Sequence, residues 1–193
     1  MLGFVPIGDY RRTRRQEYHL QADFLSNYGI FQTAALSVTC MRIEDRFIVA
    51  APRSQVWAAI IDPTIVAPCV PGCQAITVAS PILYKAKIRV QLGVIKADFN
   101  VEVELTAQMP PEELRSRARG EEGGRASSIS AENVLRLVAR SADETEVSYA
   151  SDVSVVGRLG KFGLGVMRKK AEGLGRDFAA AFKARVEAAV PQK

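Results

Sequence analysis

Residues 96–105 read Lys-Ala-Asp-Phe-Asn-Val-Glu-Val-Glu-Leu. Ala97, Phe99, Val101, Val103 and Leu105 are apolar, while Lys96, Asp98, Asn100, Glu102 and Glu104 fill the other register. Successive strand side chains point to opposite faces, so this stretch is a strand with one dry face and one wet face. The alternation repeats upstream in Tyr84, Ala86, Ile88 and Val90 against Lys85, Lys87 and Arg89, and Leu92-Gly93-Val94 supplies the turn between the two runs. Downstream, Leu114, Ser116 and Ala118 alternate with Arg115, Arg117 and Arg119, and Gly120 with Gly123-Gly124 marks the next reversal. Leu135 and Leu137 flank Arg136, and Val147, Tyr149, Val153 and Val155 continue the series to Gly157. An antiparallel sheet that is apolar on one face needs a cover.

The segment long enough to supply that cover is 158–190. Leu159, Phe162, Val166, Met167, Ala171, Leu174, Phe178, Phe182 and Val186 recur at three-to-four-residue spacing, which makes one apolar stripe along a helix. Before the first hairpin, Ile43 to Ala50 has the content of a strand. Pro52 suits a first helical turn, and Ser54 is a candidate cap for a short helix carrying Val56, Trp57, Ile60 and Ile61. Asp62-Pro63 starts a second short helix, since the carboxylate accepts from an orphan amide and proline pre-sets φ; Pro68 and Pro71 end it. The expected architecture is α+β, with six to seven strands curved around one long C-terminal helix and two short helices after strand 1.

Composition and charge narrow the function. The 193 residues are 48% hydrophobic and 24% charged, ordinary values for one soluble domain, and no uncharged apolar run is long enough to span a bilayer. Three cysteines, Cys40, Cys69 and Cys73, form no disulfide framework, so cytoplasm is the expected compartment. The net +5 is unevenly placed: residues 157–193 hold nine basic and three acidic side chains, a net of +6. That asymmetry suits an anionic membrane surface or an acidic partner, with a solvated helix face as the simpler alternative. Residues 1–40 contain Arg11, Arg12, Arg14 and Arg15 but no clean secretory h-region, and are expected to form a poorly ordered extension, with Met41 as a candidate start. The domain is then 41–190.

Visible chemistry is sparse. The one histidine, His19, precedes the domain, so no imidazole base or Ser-His-Asp arrangement can be assembled within it. Cys69 and Cys73 give two ligands at most and lack redox spacing, and Pro71-Gly72 between them reads as a turn. No phosphate-binding glycine motif is present. The sheet's exposed register mixes signs, which argues against nucleic acid. No catalytic or metal-binding residue is therefore expected, and an enzyme is the less favoured reading.

The sequence blocks have a family likeness. Phe47 to Pro52 with Val56-Trp57, Asp62-Pro63, Cys69-Val70-Pro71-Gly72-Cys73, Tyr84-Lys85-Ala86, Leu92 to Ala97, Asp152 to Val155 and Gly157 to Gly163 resemble, in order and spacing, the carbon monoxide dehydrogenase G-subunit family. The resemblance covers about Met41 to Val190. It departs at Val156, where a glycine is common, and at Asp143-Glu144-Thr145. It implies a helix-grip, START-like fold and an accessory protein of a molybdenum-containing dehydrogenase that aids membrane attachment or quinone coupling. In the wider superfamily, apolar ligands occupy the space between sheet and helix. No intrinsic cofactor is expected, but a bound quinone or lipid is, and the protein would be cytoplasmic, peripheral on the inner membrane face.

Cavity candidates are Trp57, Tyr84, Phe99, Tyr149, Phe178 and Phe182, each on an apolar register or helix face, where ordinary core packing is the alternative. Tyr84 and Tyr149 add a hydroxyl able to orient a quinone carbonyl. Arg168, Lys169 and Lys170 are the candidates for anionic lipid. Gly163, Gly165, Gly173 and Gly175 weaken the long helix and either allow close packing on the sheet or let the helix lift from it. A carrier or sensor of another hydrophobic small molecule, and a cyclase- or hydratase-type cavity enzyme, are the other functional classes.

Overall fold

The computed structural model describes residues 38–189. The chain runs β1 (Val38–Val49), α1 (Arg53–Ile60), α2 (Pro63–Val66), a 3-10 turn (Ala67–Cys69), β2 (Cys73–Ser80), β3 (Leu83–Leu92) and β4 (Ile95–Met109). It continues through β5 (Glu113–Glu122), β6 (Ser127–Ser141), β7 (Glu144–Gly157), a 3-10 segment (Arg158–Phe162) and α3 (Leu164–Ala188). The seven strands form one antiparallel sheet in the order β1-β7-β6-β5-β4-β3-β2. Hairpins join neighbours from β2 to β7, and the connection through α1 and α2 carries the chain from one sheet edge to the other.

The alternating registers pair as read. Val101 faces Ala86 on β3 and Gly120 on β5, and Leu135 on β6 lies between Leu114 and Tyr149, so apolar rows cross the sheet on its inner face. The outer face is laced with cross-strand ion pairs, among them Lys85–Glu102, Arg89–Asp98, Arg117–Glu132 and Arg42–Asp152. Exposed pairs of this kind contribute little each, but opposite charges facing across strands favour this register.

Local signals account for the breaks. Asp62 accepts from the Thr64 amide at 2.8 Å and from its hydroxyl at 2.7 Å, with Pro63 at the first helical position. Gly72 has φ +78, and a Cβ there would sit 2.1 Å from the Arg89 carbonyl oxygen, so the turn into β2 demands glycine.

Three expectations are corrected. Strand β1 begins at Val38, three residues before Met41: Val38, Thr39 and Cys40 pair with Val156, Val155 and Ser154, and the Thr39 hydroxyl donates to the Gly160 carbonyl. The rest of the expectation for residues 1–40 lies outside the described residues. Ser54 is inside α1, and Pro52 occupies its N-cap position with no side-chain cap. The long helix starts at Leu164 rather than at Arg158, because Gly163 at φ +80 leaves helical geometry.

The interior holds two packed clusters. One gathers Val49, Val56, Trp57, Leu137 and Val147 around Phe182 and Val186 of α3. The other gathers Met41, Leu92, Phe99, Val155 and Leu159 around Met167. Helix α3 thus packs at both ends of its apolar stripe, and its middle bridges the gap.

Candidate functional site

The gap is a cavity of about 550 Å³. Its floor is the inner face of β1 to β7, its roof is Ala171, Leu174, Gly175 and Phe178 of α3, and Ile60 to Pro71 close one flank. The inner residues beside it, such as Ile88, Val103 and Leu105, are only half-buried, whereas Phe99 in the neighbouring packed cluster is 2% exposed. The sheet therefore curves away from the helix faster than these side chains fill the space. None of the described residues that line the cavity is charged. An apolar pocket of this size with a few convergent polar groups has the form of a small-molecule site.

Three of the six cavity candidates line it: Tyr84, Tyr149 and Phe178. The other three, Trp57, Phe99 and Phe182, lie in the packed clusters instead. Phe182 is fully buried, stacked on Phe178 at 5.7 Å and edge-on to Phe47 at 6.4 Å, so it anchors the helix and does not face the cavity. Periodicity reveals which residues point inward, but it does not reveal where the sheet and helix separate.

The two tyrosines differ. The Tyr84 hydroxyl donates to the Pro81 carbonyl at 3.3 Å, outside the cavity. The Tyr149 hydroxyl is buried with no hydrogen-bond partner among the described residues, against the backbone of Gly175. Burial raises its pKa, the Asp45 charge raises it further and Arg176 opposes both, so the hydroxyl stays protonated. A Cβ on residue 175 would lie 2.2 Å from that hydroxyl oxygen. Close packing thus explains Gly175, whereas Gly165 has nothing within 4 Å and Gly173 has only the Arg176 side chain, at 3.9 Å.

The sequence reading missed Asn133 and Ser151, and assigned Ser116 only to the inward register. These three line the cavity in one row across β5, β6 and β7. Ser151 donates to Asn133 Oδ1 at 2.7 Å, and Asn133 Nδ2 donates to Ser116 Oγ at 3.2 Å. The available signal was a polar side chain at the inward position of three successive apolar strands. Cys73 also lines the cavity, while Cys69 is buried and donates to the Ile65 carbonyl. No group of three or more potential metal-ligating side chains occurs among the described residues.

At the start of α3 the surface changes character. Leu164 and Val166 are 47% and 48% exposed and Phe162 36%, although the spacing places Phe162 and Val166 in the buried stripe. The break at Gly163 and the end of the sheet leave this turn uncovered. Lys161, Arg168 and Lys169 are exposed beside them, and Lys170 is half-buried. Arg168 reaches the Arg42 carbonyl at 3.4 Å, and no ion pair among the described residues involves Lys169 or Lys170. No described helix is long and apolar enough to cross a membrane.

A curved antiparallel sheet gripping one long helix over an apolar cavity defines a START-like, helix-grip protein. The chain belongs to the CoxG family, that of the G subunit of carbon monoxide dehydrogenase, which residues 46–187 match. Among solved structures, a conserved protein from Geobacillus kaustophilus aligns with a TM-score of 0.72 at 22% identity, covering 77% of this chain and 96% of that one. An aromatase/cyclase, ZhuI, from Streptomyces sp. R1128 aligns at 0.59 and 16% identity, covering 79% and 96%. A START superfamily protein from Mycobacterium smegmatis aligns at 0.58 and 16% identity, covering 77% and 99%. At these identities the likeness concerns the fold. No curated protein matches the sequence.

Proposed function

We propose that the protein is a ligand-carrying accessory of a molybdenum-containing dehydrogenase of the carbon monoxide dehydrogenase type, working at the inner face of the membrane and holding a quinone or lipid between sheet and α3. The observation that carries this reading is the cavity of about 550 Å³ with its uncharged lining. Such a lining favours carriage over acid–base chemistry, because it holds no carboxylate, imidazole or ammonium to move a proton. Family membership supports the dehydrogenase partnership. The exposed Phe162, Leu164 and Val166 beside Lys161, Arg168, Lys169 and Lys170 support attachment: the apolar turn enters the interface and the cations face anionic headgroups.

The test is extraction from vesicles. Protein incubated with quinone-loaded, phosphatidylserine-containing vesicles and then separated from them is expected to hold about one quinone per chain, and Ala118→Phe, which pushes a ring into the cavity, is expected to hold less. Quinone left wholly in the vesicles contradicts carriage. Protein that takes up quinone but captures no molybdenum dehydrogenase from a lysate of its own cells is instead a carrier or sensor of another kind.

A further inference from the structure

The three polar residues on the cavity wall form an asymmetric network. Asn133 has one carbonyl and two N–H groups, and its amide lies between two serine hydroxyls. Whichever way the amide is turned, one serine donates to its carbonyl and the other accepts from its N–H. The accepting serine keeps its own O–H, and the amide keeps its second N–H. The network has no further hydrogen-bond partner among the described residues. It therefore offers the cavity two neutral donors and no charge, set in a wall that is otherwise almost wholly apolar.

Half-buried polar groups in an apolar wall cost stability unless a partner satisfies them, and three apolar side chains would pack the same row. A bound molecule carrying one uncharged oxygen acceptor supplies that partner. A carboxylate or phosphate does not fit, since no cation lines the cavity to offset the desolvation of the anion. Resting on the carrier reading above, we propose that Ser116, Asn133 and Ser151 are a head-group site that selects neutral lipids tipped by a carbonyl oxygen over plain hydrocarbons and over anionic lipids. The hydrocarbon body lies along the apolar floor under Leu174 and Phe178, and the oxygen meets the row.

Displacement of the neutral fluorophore N-phenyl-1-naphthylamine by undecane, 2-undecanone and undecanoate at equal chain length tests this without any variant. The ketone is expected to bind about tenfold more tightly than the alkane, as two modest hydrogen bonds allow, and more tightly than the carboxylate at a pH where the latter is ionised. Asn133→Leu, which removes the amide donor, and the double variant Ser116→Ala, Ser151→Ala, which removes the hydroxyl donor, are each expected to reduce the ratio of ketone to undecane affinity, and the triple variant to abolish the ketone preference. The two variants remove different donors of the one row, so misfolding of one does not decide the outcome. Equal binding of ketone and alkane by the wild-type protein, a preference undiminished in both variants, or tighter binding of the carboxylate overturns the head-group site while leaving the carrier reading intact. Failure of the fluorophore and of all three probes to bind overturns both.

Discussion

Tyr149 and Gly175 form the most constrained residue pair in the site. Adding a methyl group at 175 drives it into the tyrosine hydroxyl, so Gly175→Ala is expected to destabilise the fold by roughly 1–3 kcal/mol despite the better helix propensity of alanine. Tyr149→Phe removes both the obstacle and a buried hydroxyl without a partner, and is expected to restore most of that loss in the double variant. Denaturant titration of the four proteins measures the coupling; additive effects would show that the contact does not matter. Gly173, with space around it, behaves oppositely, and Gly173→Ala is expected to stabilise by about 0.5–1 kcal/mol. Sequence alone could not separate these two glycines, because the difference lies in what the opposing strand presents. The same holds for the polar row. Ser116 was visible as an inward residue, but its meeting with Asn133 and Ser151 depends on register between strands up to 35 positions apart in the chain.

At the scale of elements, α3 has a structural end and a ligand-facing middle. Phe182→Ala is expected to cost about 3–5 kcal/mol, since it empties the first packed cluster. Phe178→Ala is expected to cost less stability and more ligand affinity, as its ring already borders open space. Melting curves with and without a bound neutral ligand separate the two. Strands β5 and β6 are tied by Glu113, which accepts from Arg115 at 2.6 Å and Arg136 at 2.7 Å. The Arg115 hydrogen bond foremost, with Arg136, holds this carboxyl below its ordinary range against the opposing effect of burial. Its stabilisation is therefore complete above the unfolded value of about 4.3 and is lost as pH falls through the lower folded value. Glu113→Gln is expected to flatten the loss of melting temperature below about pH 4; an unchanged acid slope would contradict the assignment. The strands and their faces were legible because period-2 alternation survives in nearly all of them. The start of the helix was not, because one glycine at positive φ outweighed an apolar spacing that continued through it.

Across the described residues, two packed clusters hold the cavity open and an uncovered helix turn gives the surface a greasy, basic corner. Replacing Lys169 and Lys170 with glutamate is expected to weaken binding to phosphatidylserine-rich vesicles by at least tenfold at low salt, since each cation contributes about 1 kcal/mol there. Replacing Leu164 and Val166 with serine is expected to weaken it at every salt concentration, because apolar insertion is not screened. Co-sedimentation across a salt series measures both, and vesicle binding that both variants retain would remove this corner from the account. The basic excess was readable from composition, while the exposed apolar residues beside it were not, since the same spacing served equally well for a buried stripe.

Carriage of a ligand, and the head-group site within it, require the space between sheet and helix to be a binding site. Native mass spectrometry of the protein, purified from its own cells without detergent, is the sharpest test of that requirement. A complex heavier than the chain by one small neutral lipid is expected, which organic extraction removes and which Ala118→Phe retains less well. A wild-type protein that flies only at its bare mass, or an adduct that Ala118→Phe carries equally well, would rule the binding site out.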